Sequence, residues 1–462
     1  MKRTYSRCAL ILLLIMSLSL TGCGIISFNH GTDENEETTS VDETTVPDEP
    51  EKYEGDYDGD VADFMKDLSG NTYGGGTVQI AVAGKNLITP DDNTPTVISQ
   101  DMKERNEAVE RELDISIISK VVDPDTMLDE IRAAVRSGSY YADAALLPQK
   151  YIGAYVAAGA IINLRSLPGF DTDPGYIYPT SVAAGTGGDA IYAVAGPASL
   201  DPECLSCIYF NKTLVEELGL ESPYELVKRG EWTADKYAEY AASVSSLDGT
   251  YYSYGSQNAS PYLSDLFFFA FGGKLTDSNV GYYPVLSLNG EGPGAIVAKV
   301  SSTVNMPGSY GSSLESINGF LSGKMLFLVD RLSAMKSICN SSFDWGILPL
   351  PKLNTEQKSY ASLAYYGDAM FFTGISTAPD YGEVADVISA LNIMAYGYSN
   401  DSYITNASYY YLRDNQSMNM LSYIVSCPVY DFAYSFGEVN SYVANGTFMA
   451  VRNTVAGIST LQ

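Results

Sequence analysis

Few side chains in this sequence are suited to nucleophilic or metal chemistry. The 462 residues include one histidine, His30, and six cysteines. Because His30 lies in a polar stretch near the N-terminus, the folded part of the chain has no histidine base for a Ser-His-Asp or Cys-His nucleophile. Histidine-ligated zinc is excluded there for the same reason. We therefore predict a protein with no catalytic residues, no metal and no cofactor.

The cysteines of the folded part are Cys204, Cys207, Cys339 and Cys427. The first two form an isolated C-x-x-C pair at the start of a predicted strand. Residues three apart on a strand point to opposite faces, which opposes a local disulfide or shared metal ligation. We favour buried or free thiols, and a disulfide or a metal site is the alternative.

Carboxylates are numerous, and they give the chain a formal net charge of -29. Such a chain repels a phosphate backbone, so nucleic acid is excluded as a partner. Acidic pairs occur throughout the sequence, and none stands out as the two catalytic carboxylates of a glycoside hydrolase. A carboxylate-based glycoside hydrolase is therefore a less favoured alternative function. Asp56, Asp58 and Asp60 resemble an EF-hand loop, but Val61 occupies the position of its glycine, and we prefer a solvated acidic linker.

The N-terminal segment predicts export and lipid attachment. Three basic residues precede an apolar run over residues 9–20, a pattern typical of a secretory signal and too short to span a bilayer stably. The Leu-Thr-Gly-Cys sequence that ends at Cys23 resembles the bacterial lipobox, in which the signal is removed just before a diacylated cysteine. We therefore predict a signal peptide over 1–22, lipid attachment at Cys23, and a position on the extracytoplasmic face of the cell membrane.

The segment that follows is nearly devoid of apolar residues. Residues 31–60 consist almost entirely of Asp, Glu, Thr, Ser, Pro and Gly. A segment of this composition cannot bury enough apolar surface to offset the entropy of ordering. We predict that residues 23–70 form an acidic, disordered tether between the membrane and the folded body.

The folded body alternates apolar runs with amphipathic segments. The predicted strands are 78–82, 115–122, 142–147, 208–210 and 325–329. The predicted helices are 99–113 with Ser99 as its cap, 125–137 ended by Gly138, 151–158, 233–245 and 382–395. Strands and helices at this spacing indicate parallel β-α-β units in a layered α/β architecture.

Several segments of the body carry a resemblance to a known family. They include Arg105-Asn106-Glu107, the stretch AAGAIINL over 157–164, Tyr209-Phe210-Asn211-Lys212, Gly230-Glu231-Trp232-Thr233, and DWGILPLPK over 344–352. In this order, behind a lipobox, they resemble the extracellular solute-binding proteins of the sugar-binding class that serve ABC importers. The resemblance covers residues 77–431.

The resemblance implies a two-lobe fold of the periplasmic-binding-protein type. Lobe 1 is expected over 77–203 with 370–410, and lobe 2 over 207–365 with 411–462. The hinge is expected to consist of two to three chain crossings, near 200–207, 365–370 and 409–414. The implied function is a non-catalytic, monomeric receptor that captures an oligosaccharide or sugar between its lobes and delivers it to the permease subunits of an ABC transporter. A surface receptor or adhesion module of the same fold is the alternative, because a fold does not settle a function.

Sugar binding requires flat aromatic faces and planar polar groups. The chain has 36 Tyr, 16 Phe and 2 Trp, a balance typical of wet, amphipathic surfaces. Ligand sites in open α/β sheets lie beyond the carboxyl ends of strands. That rule selects Lys85 after the first strand and Gln149, Lys150 and Tyr151 after the third.

The second lobe's candidates come from the resemblance. Tyr262 and Asp265 occupy a turn similar to one whose aromatic residue stacks on sugar in maltose-binding members of the family. Asp330 and Arg331 stand where those members carry a stacking tryptophan, so we expect a ligand other than the same glucan. Tyr434 is a further candidate. We assign Trp232 and Trp345 to structural roles, since one opens a helix and the other lies in a strand bound for the hinge.

Overall fold

The structure is a computed structural model that describes residues 57–66, 68, 70–90, 96–171, 175–256, 260–277, 284–310, 315–396 and 399–460. The predicted signal peptide, Cys23, His30 and the tether up to residue 56 lie outside these residues. Within the described ranges, no helix has both the length and the apolar character that a membrane span requires.

The strands, numbered in chain order, are β1 Gly76–Ala83, β2 Ile115–Val122, β3 Ala144–Pro148, β4 Thr186–Gly187, β5 Ala190–Ile191, β6 Ser206–Asn211, β7 Tyr252–Gly255, β8 Thr276–Asp277, β9 Val285–Leu286, β10 Met325–Arg331, β11 Trp345–Leu348, β12 Ser362–Leu363, β13 Met370–Gly374 and β14 Pro428–Val429.

The α-helices are α1 Tyr57–Lys66, α2 Val97–Leu113, α3 Met127–Ser137, α4 Ile152–Ala157, α5 Pro179–Gly185, α6 Lys212–Glu217, α7 Pro223–Lys228, α8 Ala234–Ser243, α9 Ser260–Ala270, α10 Glu291–Val304, α11 Ser316–Leu321, α12 Met335–Ile338, α13 Tyr381–Tyr396, α14 Ser399–Tyr410, α15 Asn415–Val425, α16 Phe432–Phe436, α17 Ser441–Gly446 and α18 Phe448–Val455. Single 3₁₀ turns occur at Gln149–Tyr151, Leu164–Ser166, Pro202–Cys204, Val244–Ser246 and Leu332–Ala334.

Lobe 1 is built on a four-stranded sheet in the order β13-β3-β1-β2. β1 pairs in parallel with both β2 and β3, as the β-α-β reading predicts, and β13 joins antiparallel. Helix α2 begins two residues before the predicted start, because Thr96 is its N-cap and Ser99 completes a capping box from the third position. Helix α3 ends as predicted at Gly138, whose φ of 64° suits glycine.

Lobe 2 is built on a second four-stranded sheet in the order β11-β6-β10-β7. β6 lies between two antiparallel neighbours, and β10 pairs in parallel with β7. Both tryptophans pack beside this sheet as predicted. Trp232 and Trp345 are buried, and the Trp232 indole N–H donates to the carbonyl of Pro349 at 3.0 Å.

The lobes are joined by chain segments that run side by side. Leu205 and Ala364 form an antiparallel bridge, and the Tyr365 N–H donates to the carbonyl of Cys204 at 2.9 Å. A third segment leads from α14, which packs on α2 of lobe 1, to α15, which packs on β11 of lobe 2. The described chain therefore crosses between the lobes in the three regions that the resemblance implied.

Two predicted boundaries are corrected. The first concerns residues 411–462, all of which were assigned to lobe 2. Helix α16 packs on α4, α5 and the turn Gln149–Tyr151 of lobe 1, and its Tyr434 also binds Asp265 of lobe 2, so that the helix contacts both lobes. Gly153 permits this approach, since a Cβ there would lie 2.9 Å from the carbonyl oxygen of Ser435.

The second correction concerns the C-terminal end of the predicted tether. Residues 57–66 form α1, which packs on α13. The Phe64 ring lies 5.2 Å from that of Tyr176, and Leu68 is only 5% exposed. This segment has a short apolar stripe at helical spacing, formed by Val61, Phe64, Met65 and Leu68. The composition of the predicted tether over 23–70 does not reveal the stripe, because acidic residues outnumber the apolar ones there. The described residues between 57 and 70 therefore belong to the folded body.

The four cysteines within the described residues are free, and Cys204 and Cys207 are buried. This confirms the prediction of buried or free thiols. Burial raises the pKa of both buried thiols well above its usual range, which keeps them protonated and unreactive.

Candidate ligand site between the lobes

A cavity of about 300 Å³ lies where the lobes meet at the hinge. Lobe 1 contributes the carboxyl ends of β1 and β3, and lobe 2 contributes Ser333. The hinge segments contribute Asp201, Glu203, Cys204 and Asp368. The cavity therefore occupies the place that the strand-end rule selects.

Lys85 reaches the cavity from the loop after β1. Its ammonium lies 2.8 Å from a carboxylate oxygen of Asp201 and 3.6 Å from one of Glu203. Burial lowers the pKa of Lys85, but these carboxylates outweigh it and leave the pKa raised. Burial also raises the pKa of Asp201, although Lys85 opposes the shift. Lys85 thus ties the loop after β1 to the hinge and presents charged, hydrogen-bonding groups to the cavity.

Lys150 and Tyr151 line the lobe 1 wall. The Lys150 ammonium lies 4.7 Å from the centre of the Tyr151 ring, a cation–π contact, and the Tyr151 hydroxyl donates to Asp125 at 2.8 Å. No described carboxylate lies within 4.0 Å of the Lys150 ammonium. Lys150 thus lines the cavity with Tyr151 as its side-chain partner.

Gln149 does not line the cavity, although it is adjacent to Lys150 in sequence. It is fully buried, and its amide donates to the carbonyl of Asp431 at 2.8 Å and to the hydroxyl of Ser435 at 3.1 Å. Its contacts attach α16 to lobe 1, so that in this arrangement its role is to hold the two elements together.

Asp330 and Arg331 lie at the lobe 2 side of the hinge. The Arg331 guanidinium pairs with Asp368 of the cavity at 2.5 Å and lies 4.6 Å from the centre of the Tyr365 ring. Asp330 is buried, and its carboxylate accepts the backbone N–H of Arg331 at 2.7 Å. Arg331 is thus connected to the cavity through Asp368, while Asp330 holds the backbone that presents it.

The structure brings Tyr262, Asp265 and Tyr434 together, but in a packed cluster beside the cavity. Tyr262 is 8% exposed and Tyr434 is 2% exposed. The Tyr434 hydroxyl donates to Asp265 at 2.8 Å, and the guanidinium of Arg452 also binds Asp265. These three side chains contact protein groups here and do not line the cavity.

Sequence reasoning missed the hinge residues that line the cavity, Asp201, Glu203 and Asp368. Their positions could have identified them, because all three lie within two of the predicted hinge crossings, 200–207 and 365–370. It also missed Tyr365 and Tyr366, half-buried residues whose rings lie 5.1 Å apart. Among the described residues, no group of three or more His, Cys, Asp or Glu side chains is placed to hold a metal ion.

Comparison with known proteins identifies the fold. The sequence matches no protein-family profile and no curated protein. The structure is similar to that of a cyclo/maltodextrin-binding protein complexed with maltotetraose, with 14% identity, a TM-score of 0.54, and coverage of 83% of this chain and 93% of that one.

Two further solved structures show the same similarity. One is the cyclic α-maltosyl-1,6-maltose binding protein from Arthrobacter globiformis, at 12% identity, a TM-score of 0.54, and coverage of 83% of this chain and 95% of that one. The other is UspC from M. tuberculosis, at 12% identity, a TM-score of 0.53, and coverage of 83% and 96%. The expected α/β, two-lobe fold of the periplasmic-binding-protein type is thereby confirmed.

Proposed function

We propose that this protein is a lipid-anchored, non-catalytic receptor that binds a carbohydrate between its two lobes and delivers it to an ABC permease. The observation that carries the proposal is the cavity at the hinge, which both lobes and two chain crossings line. A ligand there contacts both lobes at once. Such a ligand can shift the balance between open and closed arrangements, because it binds them unequally.

The chemistry of the cavity suits a sugar. Tyr151 offers a ring, while Lys150, Asp201 and Ser333 offer donors and acceptors for hydroxyl groups. Two of the solved proteins of the same fold named above are a cyclo/maltodextrin-binding protein, complexed with maltotetraose, and a cyclic α-maltosyl-1,6-maltose binding protein. Both the fold and the site therefore favour a carbohydrate.

The cavity carboxylates favour binding over hydrolysis. Asp201 and Glu203 are paired with Lys85, Glu203 also with Lys336, and Asp368 with Arg331. A glycoside hydrolase needs two carboxyl groups that flank the bond to be cleaved and act as acid and base or nucleophile. Groups committed to ion pairs are better suited to orienting hydroxyl groups than to exchanging protons.

The binding step can be tested by calorimetry on the chain from Gly24 onward with a panel of mono- and oligosaccharides. We expect at least one sugar to bind without being cleaved, and the radius of gyration from X-ray scattering to fall on binding. Lys150→Ala should weaken binding about tenfold or more, with Lys358→Ala as a control at an exposed lysine. Cleaved sugar would favour the hydrolase, and no binding by any sugar would reject the proposal.

The delivery step needs a test in cells. We expect uptake of the bound sugar to require both this protein and a permease. Binding without any effect on uptake would favour the surface receptor or adhesion module instead.

A further inference from the structure

Helix α16 lies against the turn that carries part of the lobe 1 wall of the cavity. Gln149 opens this turn and is fully buried. Its amide nitrogen donates to the carbonyl of Asp431 at 2.8 Å and to the hydroxyl of Ser435 at 3.1 Å. The next two residues of the turn, Lys150 and Tyr151, line the cavity. The residue that binds α16 is therefore adjacent in the chain to two residues of the proposed ligand site.

Asp431, the N-cap of α16, is bound to lobe 2 as well. Its carboxylate accepts the N–H of Leu275 at 3.3 Å, the N–H of Thr276 at 3.4 Å and the Thr276 hydroxyl at 3.2 Å. These two residues follow α9 of lobe 2 and lead into β8. The main-chain carbonyl of Asp431 thus contacts lobe 1 while its side chain contacts lobe 2, and the residue is buried.

Further buried contacts fix α16 to each lobe. The Tyr434 hydroxyl donates to Asp265 of α9 at 2.8 Å, and both side chains are buried. On the lobe 1 side, Gly153 lets the helix approach closely, because a Cβ there would lie 2.9 Å from the carbonyl oxygen of Ser435. Helix α16 is therefore held between the lobes and does not belong to one of them alone.

These contacts make the position of the turn depend on the position of lobe 2. If lobe 2 moves while α16 stays with lobe 1, the Asp431 carboxylate loses its donors from Leu275 and Thr276. If α16 moves with lobe 2 instead, Gln149 loses both of its acceptors. Either change breaks buried hydrogen bonds, and a buried polar group left without its partner is costly. The arrangement of the lobes and the position of the turn are therefore linked in energy.

We infer that α16 couples the lobe 1 wall of the cavity to lobe 2, with Gln149 as the positioning residue and Asp431 as the joint between the lobes. Gln149 acts through its neighbours Lys150 and Tyr151 and not by contact with a ligand. The coupling itself concerns the two lobes, and its effect on affinity rests on the proposed function.

The experiment measures the distance between the lobes in the ligand-free protein by pulsed electron paramagnetic resonance. Spin labels are attached at an exposed helix position of each lobe, through Arg136→Cys on α3 and Ser302→Cys on α10. The chain starts at Gly24, and the partly exposed Cys339 and Cys427 are replaced by serine so that only the two new thiols react.

Two variants each release α16 from one lobe. Gln149→Leu is similar in size and removes both donors from lobe 1, and Thr276→Val removes one donor from lobe 2. We expect both to broaden the distribution of distances between the lobes. Gln149→Leu should also weaken binding of the sugar found to bind the wild type about threefold or more, because a wall held less firmly must be ordered on binding.

The matched control is Gln79→Leu. It removes a glutamine amide that donates to the carbonyl of Tyr141 at 2.8 Å within lobe 1, and it should change neither the distances nor the affinity. Equal broadening in this control would mean that any loosened glutamine has the same effect, which overturns the inference.

Unchanged distances in both folded variants also overturn the inference and leave the proposed function standing. So does a weaker affinity in Gln149→Leu without a change in distance, because Gln149 then acts on the turn alone. If Gln149→Leu does not fold, the distances in Thr276→Val decide. If no sugar binds the wild type, the proposed function is rejected, and the distances still decide whether α16 couples the lobes.

Discussion

Arg452 and Asp265 form a buried ion pair that joins the last helix of the chain to helix α9. The Arg452 Nε lies 3.1 Å and 3.0 Å from the two carboxylate oxygens, and Asp265 is only 2% exposed on its side chain. Burial raises the pKa of Asp265, and Arg452 opposes the rise. The pair holds Phe448 and Tyr434 against each other, so that the C-terminal segment stabilises the packed aromatic cluster beside the interlobe site.

The first prediction is that Arg452→Met destabilises the fold by about 3–5 kcal/mol, because it leaves Asp265 buried without its cation. Chemical denaturation at pH 7 measures the loss. The double variant with Asp265→Leu should recover much of it, since no buried charge remains. A loss below about 1 kcal/mol in Arg452→Met would show that water reaches Asp265.

The pH dependence of this variant has a defined sign. Without Arg452, the pKa of Asp265 rises further in the folded state, so that the folded state binds its proton more tightly than the unfolded state does. The stability of Arg452→Met relative to the wild type should therefore improve as the pH falls from 7 towards 5. A difference that does not change with pH would contradict this account.

The second prediction concerns Asp431, whose carboxylate accepts N–H groups from Leu275, Thr276 and Ala433. Burial raises the pKa of Asp431 to about 6 despite these donors. A raised folded-state pKa means that the protonated form is favoured on folding. The contribution of Asp431 to stability is therefore greatest below about pH 4 and is lost as the pH rises to about 6.

Asp431→Asn tests this directly, because it removes the titration and keeps the shape. The stability of the wild type relative to Asp431→Asn should be about 2–3 kcal/mol more favourable at pH 4 than at pH 7.5. Denaturation curves of both proteins at the two pH values give the comparison. A relative stability that rises with pH would mean that the N–H donors outweigh burial.

The third prediction separates the two parts of the N-terminal segment. Deletion of residues 24–56 should leave the unfolding temperature unchanged, whereas deletion of 24–70 should lower it, because the second deletion removes Phe64 and Leu68 from the core of lobe 1. Leu68→Ala alone should cost about 2–5 kcal/mol. Equal unfolding temperatures for the two deletions would show that α1 does not contribute to the stability of the fold.

The sequence was sufficient for those features that depend on local pattern. The strands β1 and β2, the glycine that ends α3 and the crossings at 200–207 and 365–370 follow from periodicity, turn chemistry and the resemblance. The predicted cap of α2, Ser99, was wrong. Both Thr96 and Ser99 can cap a helix, and only the backbone geometry shows that Thr96 does so.

Contacts between residues distant in sequence could not be predicted from local pattern. The Tyr434 ring stacks on Tyr366 and Phe448, and its hydroxyl donates to Asp265, 169 residues away. Nothing in the local pattern around Tyr434 distinguishes a ring that stacks on a ligand from one that stacks on protein. The docking of α16 on lobe 1 likewise depends on Gly153 and Gln149, which lie in a different part of the chain.

The fourth prediction concerns anchoring and rests on the lipobox. Cys23→Ser should abolish cleavage at this site and the incorporation of labelled fatty acid, since the thiol is the acceptor of the lipid. Cys427→Ser is the matched control and should be labelled like the wild type. Undiminished labelling in Cys23→Ser would reject the lipoprotein assignment.

The last prediction concerns Arg331, whose guanidinium neutralises Asp368 at the edge of the cavity and lies over Tyr365. Arg331→Ala leaves the Asp368 carboxylate unpaired beside the ligand, so that a sugar should bind about ten- to a hundredfold more weakly, equivalent to about 1.5–3 kcal/mol. Arg331→Lys keeps the charge but lacks the planar, forked donor of arginine, and its loss of affinity for the sugar should be smaller.

The control is Arg229→Ala. It removes another ion-paired arginine, which contacts Glu221 and Glu231 on the surface of lobe 2, and should leave the affinity unchanged. Calorimetry with the sugar found to bind the wild type measures all three variants. Equal affinities in Arg331→Ala and Arg229→Ala would remove Arg331 from the site.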